Sequence, residues 1–123
     1  MNQKVLLVED EFFLRDLYTL MLQKAGYTVV AAADGLEGLS IGQQNPDAKV
    51  MLLDVMLPKM HGIDILKNLK NDAKTKSLPI IMLSNLSEEG VIQEALSNGA
   101  IAYLVKVSFT PQQLVEKIEE IVQ

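Results

Sequence analysis

Five short runs of almost unbroken aliphatic residues, separated by segments of helical periodicity, constrain this chain more than any other feature. The runs are KVLLV (Lys4 to Val8), YTVVAAA (Tyr27 to Ala33), KVMLLD (Lys49 to Asp54), LPIIMLS (Leu78 to Ser84) and IAYLVK (Ile101 to Lys106). A strand with one wet face alternates apolar and polar residues, so a run without alternation is covered on both faces. Such strands, each followed by a helix, assemble into a parallel sheet flanked by helices. Right-handed crossovers through five units predict a doubly wound α/β fold with a five-stranded parallel sheet in the order 2-1-3-4-5. The 123 residues are enough for one domain, 1–123, with a single core and no need of disulfides or metals to hold it.

The intervening segments read as helices. Glu11 to Ala25 spaces Phe12, Leu17, Leu20 and Met21 as a helical face, with Gly26 as C-terminal cap. Leu36 to Gln44 is a short helix, weakened by Gly38 and Gly42 and ended before Pro46. Ile63 to Asn71 turns Ile63, Leu66 and Leu69 inward. Ser87 to Asn98 buries Val91, Ala95 and Leu96, with Gly90 weakening its first turns. Thr110-Pro111-Gln112-Gln113 opens the last helix, with Thr as N-cap, Pro at N1 and Gln at N3 reaching back; Leu114, Ile118, Ile121 and Val122 face inward.

In the predicted strand order, ligands bind at the carboxyl ends of strands 1 and 3, where the winding reverses. Glu9 and Asp10 follow strand 1, and Asp54 ends strand 3. Any one of these acids alone is an ordinary cap or turn residue. Three converging on one rim repel each other unless a cation compensates them. Hard, all-oxygen donors suit Mg²⁺, with Mn²⁺ as the alternative, better than zinc. Strands 4 and 5 end in Ser84 and Lys106. A hydroxyl and an ammonium beside a carboxylate–metal cluster suit a small, highly charged anion such as a phosphoryl group. Asp54 then reads as a nucleophile that forms an aspartyl phosphate.

Composition closes other routes. The absence of cysteine excludes thiol catalysis, thiolate metal sites and disulfides. A net charge of −5 argues against direct nucleic-acid binding, and the loose group Lys67, Lys70, Lys74 and Lys76 reads as a solvated helix end. No apolar run approaches the roughly 18 residues of a membrane span, and no signal segment opens the chain. A soluble, cytoplasmic protein is expected.

The ordered set of motifs closely resembles the receiver domain of two-component response regulators, over essentially the whole chain. LLVEDE carries the acidic pair Glu9-Asp10, and LLDVMLPKMHG resembles the phosphoacceptor segment, with Pro58 four and Gly62 eight residues after Asp54. IIMLSN supplies Ser84, and AYLVK supplies Tyr103 and Lys106. The resemblance implies a flavodoxin-like receiver fold with Asp54 phosphorylated. Asp10, Asp54 and the backbone carbonyl of Met56 would bind Mg²⁺ directly, with Glu9 acting largely through water. Ser84 would turn toward the phosphoryl group and Tyr103 would swing inward behind it, changing the surface of the fourth helix, fifth strand and fifth helix. The implied partners are a sensor histidine kinase or phosphotransfer protein upstream, and a downstream protein or fused output domain. A phosphorylation-dependent homodimer also fits. With the chain ending at its fifth helix, the expectation is a single-domain regulator or a receiver from a longer protein.

Two positions depart from the family pattern. The residue after the strand-5 lysine is commonly proline, often after a cis bond; here it is Val107, before which a cis bond would cost about 2.5–4 kcal/mol. The sequence leaves two outcomes: a trans bond with Lys106 aimed differently, or retained strain. The residue after Ser84 is usually small; here Asn85 is expected to overhang the site and alter phosphoryl-transfer rates.

These departures also feed a second reading, an interaction module that keeps the fold without the chemistry, although Glu9, Asp10, Asp54, Ser84 and Lys106 are all retained. A Mg²⁺-dependent phosphatase needs an acid two residues after its nucleophile. Met56 stands there, and His61 reads as a solvated loop residue. A flavin-binding relative of the same fold is disfavoured: no Ser/Thr/Gly-rich phosphate loop follows strand 1, where two acids would repel the flavin phosphate. The expected chemistry is self-phosphorylation and autodephosphorylation, without turnover of an external substrate.

Overall fold

The computed structural model describes residues 3–123. Strands β1 (Lys4–Val8), β2 (Thr28–Ala32), β3 (Val50–Asp54), β4 (Ile80–Ser84) and β5 (Ala102–Val105) alternate with helices α1 (Phe12–Lys24), α2 (Gly35–Gln44), α3 (Gly62–Lys70), α4 (Glu89–Ser97) and α5 (Pro111–Val122). The sheet is parallel throughout, in the order β2-β1-β3-β4-β5. All five expected strands and helices are present, and the doubly wound order is the one their pattern predicts.

Alternate residues of each strand feed two cores. Leu6, Met51, Leu53, Ile80 and Met82 pack with α3 residues Ile63, Ile65, Leu66 and Leu69 on one face, joined by Ala95 of α4. Val5, Leu7, Leu52, Ile81 and Leu83 pack with Tyr18 and Leu22 of α1 and with Leu114, Val115 and Ile118 of α5 on the other. Burial on both sides is what removed the polar alternation from the strand sequences.

Two helix faces differ from expectation. In α1 the core face is Leu14, Tyr18, Met21 and Leu22, while Phe12 and Leu20 are 67% and 58% exposed. The i, i+4, i+7, i+8 stripe beginning at Leu14 includes Tyr18, whose amphipathic ring hid its place in the stripe; Phe12 and Leu20 lie outside it. In α4, Ala95 is buried but Leu96 is 42% exposed, one position further around the helix. Helix α4 also begins at Glu89 behind Glu88, two residues later than the expected start at Ser87, whereas the end of α1 and the start of α5 match. Gly26 follows α1 with φ 101°, the left-handed conformation that glycine adopts without strain. Thr110 and Gln113 form a reciprocal capping box with Pro111 in the first turn of α5. Two of the four lysines near α3 are absorbed locally: Lys67 pairs with Glu94 at 3.2 Å, and the Lys70 ammonium donates to the carbonyls of Lys76 and Leu78; Lys74 and Lys76 are exposed.

Candidate functional site

The register brings the predicted residues to one rim. Val8 lies beside Leu53, and Asp54 beside Leu83, so Glu9 leaves β1 next to Asp54. Ser84 is level with Val105, and Lys106 follows at once. Glu9, Asp10, Glu11, Asp54, Met56, Ser84, Asn85 and Lys106 line a single cleft. A larger depression at the other end of the sheet is lined by Lys4, Asp47, Lys49, Ile101 and Val122 among others, and it contains no comparable acid cluster.

Glu9, Asp10 and Asp54 each present a carboxylate oxygen within 4.8 Å of the others. Glu9 and Asp54 are only 2% and 6% exposed, and Lys106 only 9%. The Lys106 ammonium spans the sheet: it donates to Asp54 Oδ2 at 2.7 Å and to Glu9 Oε1. Burial lowers the Lys106 pKa, but the two carboxylates outweigh it, and the net shift is upward. Burial raises the Glu9 carboxyl above its ordinary range, against the hydrogen bonds from Lys106 and the Glu11 N–H; the Asp54 charge adds to the rise. Lys106 neutralises one of three carboxylates, so the rim keeps an excess of negative charge. Oxygen donors with that excess fit a small, hard divalent cation.

Local geometry explains how these groups are held. Asp54 Oδ1 accepts from the Met56 N–H at 3.3 Å. Behind it, the Gly62 N–H donates to the Val55 carbonyl at 2.8 Å. A β-carbon on Gly62 would stand 2.0 Å from the Asp54 carbonyl oxygen, so the segment from Asp54 to Gly62 folds this tightly only around glycine. The Lys106–Val107 peptide is trans, as are all those among the described residues, and a 3-10 turn, Lys106–Ser108, follows it. Lys106 nevertheless reaches both acids. Neither expected outcome holds in full: the bond is trans, yet Lys106 is aimed at Glu9 and Asp54.

Ser84 and Tyr103 meet through one residue. Ser84 Oγ accepts from the Leu86 N–H at 3.2 Å, and the half-buried Tyr103 hydroxyl donates to the Leu86 carbonyl at 2.7 Å. Burial raises the Tyr103 pKa, with Ser84 opposing and Asp54 and Glu88 reinforcing the rise. Asn85 is exposed at the mouth of the cleft, and its Oδ1 accepts from the Val107 N–H at 3.1 Å.

The structural roles of three residues of the surround escaped the sequence reading. Glu11 caps α1, accepting from the N–H groups of Phe13 and Leu14. Arg15 reaches back to the carbonyls of Glu9 and Asp10, pinning the backbone of the acidic pair. His61, read as a solvated loop residue, is exposed but caps α3, its Nδ1 accepting from the Ile63 N–H at 3.2 Å. An acid directly before an apolar helix was the available signal for Glu11; His61 caps α3 through an N–H only two residues ahead but is not a favoured N-cap type, and Arg15 depends on the turn between β1 and α1.

The family model described as response regulator receiver domain matches residues 5–119. The chain belongs to this family. Among curated receiver relatives, it is 36% identical over 117 residues to the chemotaxis protein CheY1 of Helicobacter pylori, covering 94% of each chain. Among solved structures, the chemotaxis response regulator CheY4 of Vibrio cholerae has a TM-score of 0.88 and 34% identity, covering 98% of this chain and 99% of that one. CheY in the CheX-CheY-BeF3-Mg complex from Borrelia burgdorferi has a TM-score of 0.86 and 27% identity, covering 97% and 88%. As a receiver domain, the protein is a phosphoacceptor module of two-component signalling, a class that exchanges phosphoryl groups with histidine kinases or phosphotransfer proteins. Its acidic cluster suits a divalent metal, and no helix among the described residues is long and apolar enough to cross a membrane.

Proposed function

We propose that Asp54 is the phosphoacceptor of this receiver, in a Mg²⁺-dependent reaction for which Mn²⁺ substitutes. The observation that carries the reading is the Lys106 ammonium held between Asp54 and Glu9 across the sheet. A carboxylate attacking a phosphoryl group meets electrostatic repulsion, and a buried ammonium already bonded to it lowers that barrier without reorganising. An Asp54 carboxylate oxygen attacks phosphorus, the bond from phosphorus to the donor's leaving atom breaks, and the electron pair departs with the leaving group. Asp10, Asp54 and the backbone carbonyl of Met56 are the proposed metal ligands, with Glu9 acting through water. A bound Mg²⁺ would neutralise phosphoryl oxygens. Lys106 balances the added charge, Met56 N–H fixes the other Asp54 oxygen, and Ser84 offers its hydroxyl to the incoming group.

Signalling follows from Leu86. For Ser84 to turn toward a phosphoryl oxygen, its Oγ gives up the Leu86 N–H, and Tyr103 is bonded to the carbonyl of that same residue. Phosphorylation thereby biases the loop before α4 and the packing of Tyr103, favouring one arrangement of the α4-β5-α5 surface. The phosphoryl donor is a sensor histidine kinase or phosphotransfer protein, and the reader is a downstream protein, a fused output domain or a second copy of the chain. A cytoplasmic setting, with chain 1–123 acting as one receiver unit, completes the proposal.

Incubation with acetyl phosphate and Mg²⁺ tests it. Intact mass spectrometry should show a gain of about 80 Da, absent in Asp54→Asn and abolished by EDTA. An unchanged mass in the unaltered protein, or an equal gain in Asp54→Asn, refutes it.

A further inference from the structure

The two positions that depart from the family pattern touch each other. Val107, unlike a proline, has a backbone N–H, and that N–H donates to Asn85 Oδ1 at 3.1 Å. A backbone N–H only donates, so the bond fixes the amide with its oxygen toward Val107 and its NH₂ turned away. Asn85 directly follows Ser84 at the end of β4, while Val107 directly follows Lys106 beyond β5. The bond therefore ties together the loops that carry the site's hydroxyl and its ammonium. The far end of the 3-10 turn is closed by the Phe109 N–H donating to the Lys106 carbonyl at 3.2 Å. The Val107 side chain adds little anchorage of its own, since the residue is 77% exposed.

We infer that Asn85 is a positioning residue: its amide latches the Val107 N–H and so holds the trans Lys106 turn where the ammonium meets Asp54 and Glu9. The inference rests on the phosphoacceptor reading above and adds to it the reason that this chain keeps Lys106 in place with valine after it. A lysine ammonium sits at the end of four flexible carbons, and a turn free to shift spreads its position across the rim. A displacement of about 1 Å in a reacting group is enough to slow chemistry. Asn85 and Val107 thus form one device, in which neither residue works without the other.

Both residues are exposed, so their substitution leaves the core intact. Acetyl phosphate labelling of Asp54 at saturating Mg²⁺ should slow about fivefold in Asn85→Ala, the scale of one lost hydrogen bond. Val107→Pro, which removes the donor, should slow it comparably. The double variant should be no slower than the slower single variant, because both remove the same bond. Mg²⁺ affinity should change by less than about twofold, since the carboxylates are untouched. The Lys106 ¹⁵Nζ resonance should broaden in Asn85→Ala, and exchange of the Val107 amide proton should accelerate. If the unaltered protein takes no label, the phosphoacceptor reading falls and this inference falls with it. If the unaltered protein labels but Asn85→Ala labels as fast, or the two substitutions add, the latch alone is refuted. An unprotected Val107 amide in the unaltered protein refutes it as well.

Discussion

Lys106 concentrates the physics of the site in one side chain. It is nearly buried between Glu9 and Asp54, and no buried side-chain nitrogen or oxygen among the described residues lacks a partner. Such a group is best judged by what its removal leaves behind. In Lys106→Met the chain packs similarly, but the acid cluster loses the ammonium bonded to Glu9 and Asp54. The expected loss is about 3 kcal/mol in urea unfolding without divalent metal, and Asp54→Asn in the same background should recover part of it by removing one charge. An equal stability of Lys106→Met and the unaltered protein would show that water already screens the cluster. These residues were legible because each stands at a strand end, where an unbroken apolar run gives way to a polar or charged residue. Arg15 was not, because its partners are the backbone carbonyls of Glu9 and Asp10, met only through the turn between β1 and α1; His61 was not, because histidine is not among the residues favoured at an N-cap. Asn85 and Val107 were visible only as two separate irregularities, 22 residues apart in sequence.

At the scale of elements, glycine separates positions set by packing from positions set by propensity. Gly62 opens α3 where a β-carbon would fall 2.0 Å from the Asp54 carbonyl oxygen and 2.8 Å from the Val55 α-carbon. Those are backbone atoms and cannot rotate away. Gly62→Ala must displace the segment carrying Asp54, so acetyl phosphate labelling should fall at least tenfold, with a stability loss of about 2 kcal/mol or more. Gly90, in the first turn of α4, has open space where a β-carbon would stand, with no neighbouring atom within 4 Å. There alanine only restricts the unfolded chain and favours the helix, so Gly90→Ala should gain about 0.5–1 kcal/mol in urea unfolding. The sequence marks Gly90 as a weak point within a helical pattern, whereas Gly62 stands just before one and is marked only by its spacing from Asp54. The helices themselves were readable from spacing and caps. The exception was the facing of α1 and α4, where Phe12, Leu20 and Leu96 added hydrophobicity outside the buried stripe. Facing is decided by which stripe the sheet accepts, and that is settled only when the layers pack.

The whole molecule couples its site to its stability, because the acid cluster is assembled only by folding. Glu9 and Asp10 are more than forty residues from Asp54 along the chain, so the unfolded state offers no comparable grouping. A cation bound to the folded rim therefore stabilises the entire domain by mass action. At a free Mg²⁺ concentration one hundred times its Kd, the gain is about 2.7 kcal/mol. For a chain of this length that corresponds to a rise in Tm of about 10 °C. Asp10→Asn removes the exposed carboxylate of the three without touching the Lys106 bridge, so it should fold normally and lose most of the Mg²⁺-dependent rise. Calorimetry with EDTA and with Mg²⁺, on both proteins at constant ionic strength, checks this. A rise of equal size in Asp10→Asn would assign it to general screening of the net charge of −5, and a control with a monovalent salt separates that screening from binding. No rise in the unaltered protein would mean that the geometry meeting at the rim does not hold a divalent ion, and the phosphoryl chemistry proposed for Asp54 would lose its counter-charge.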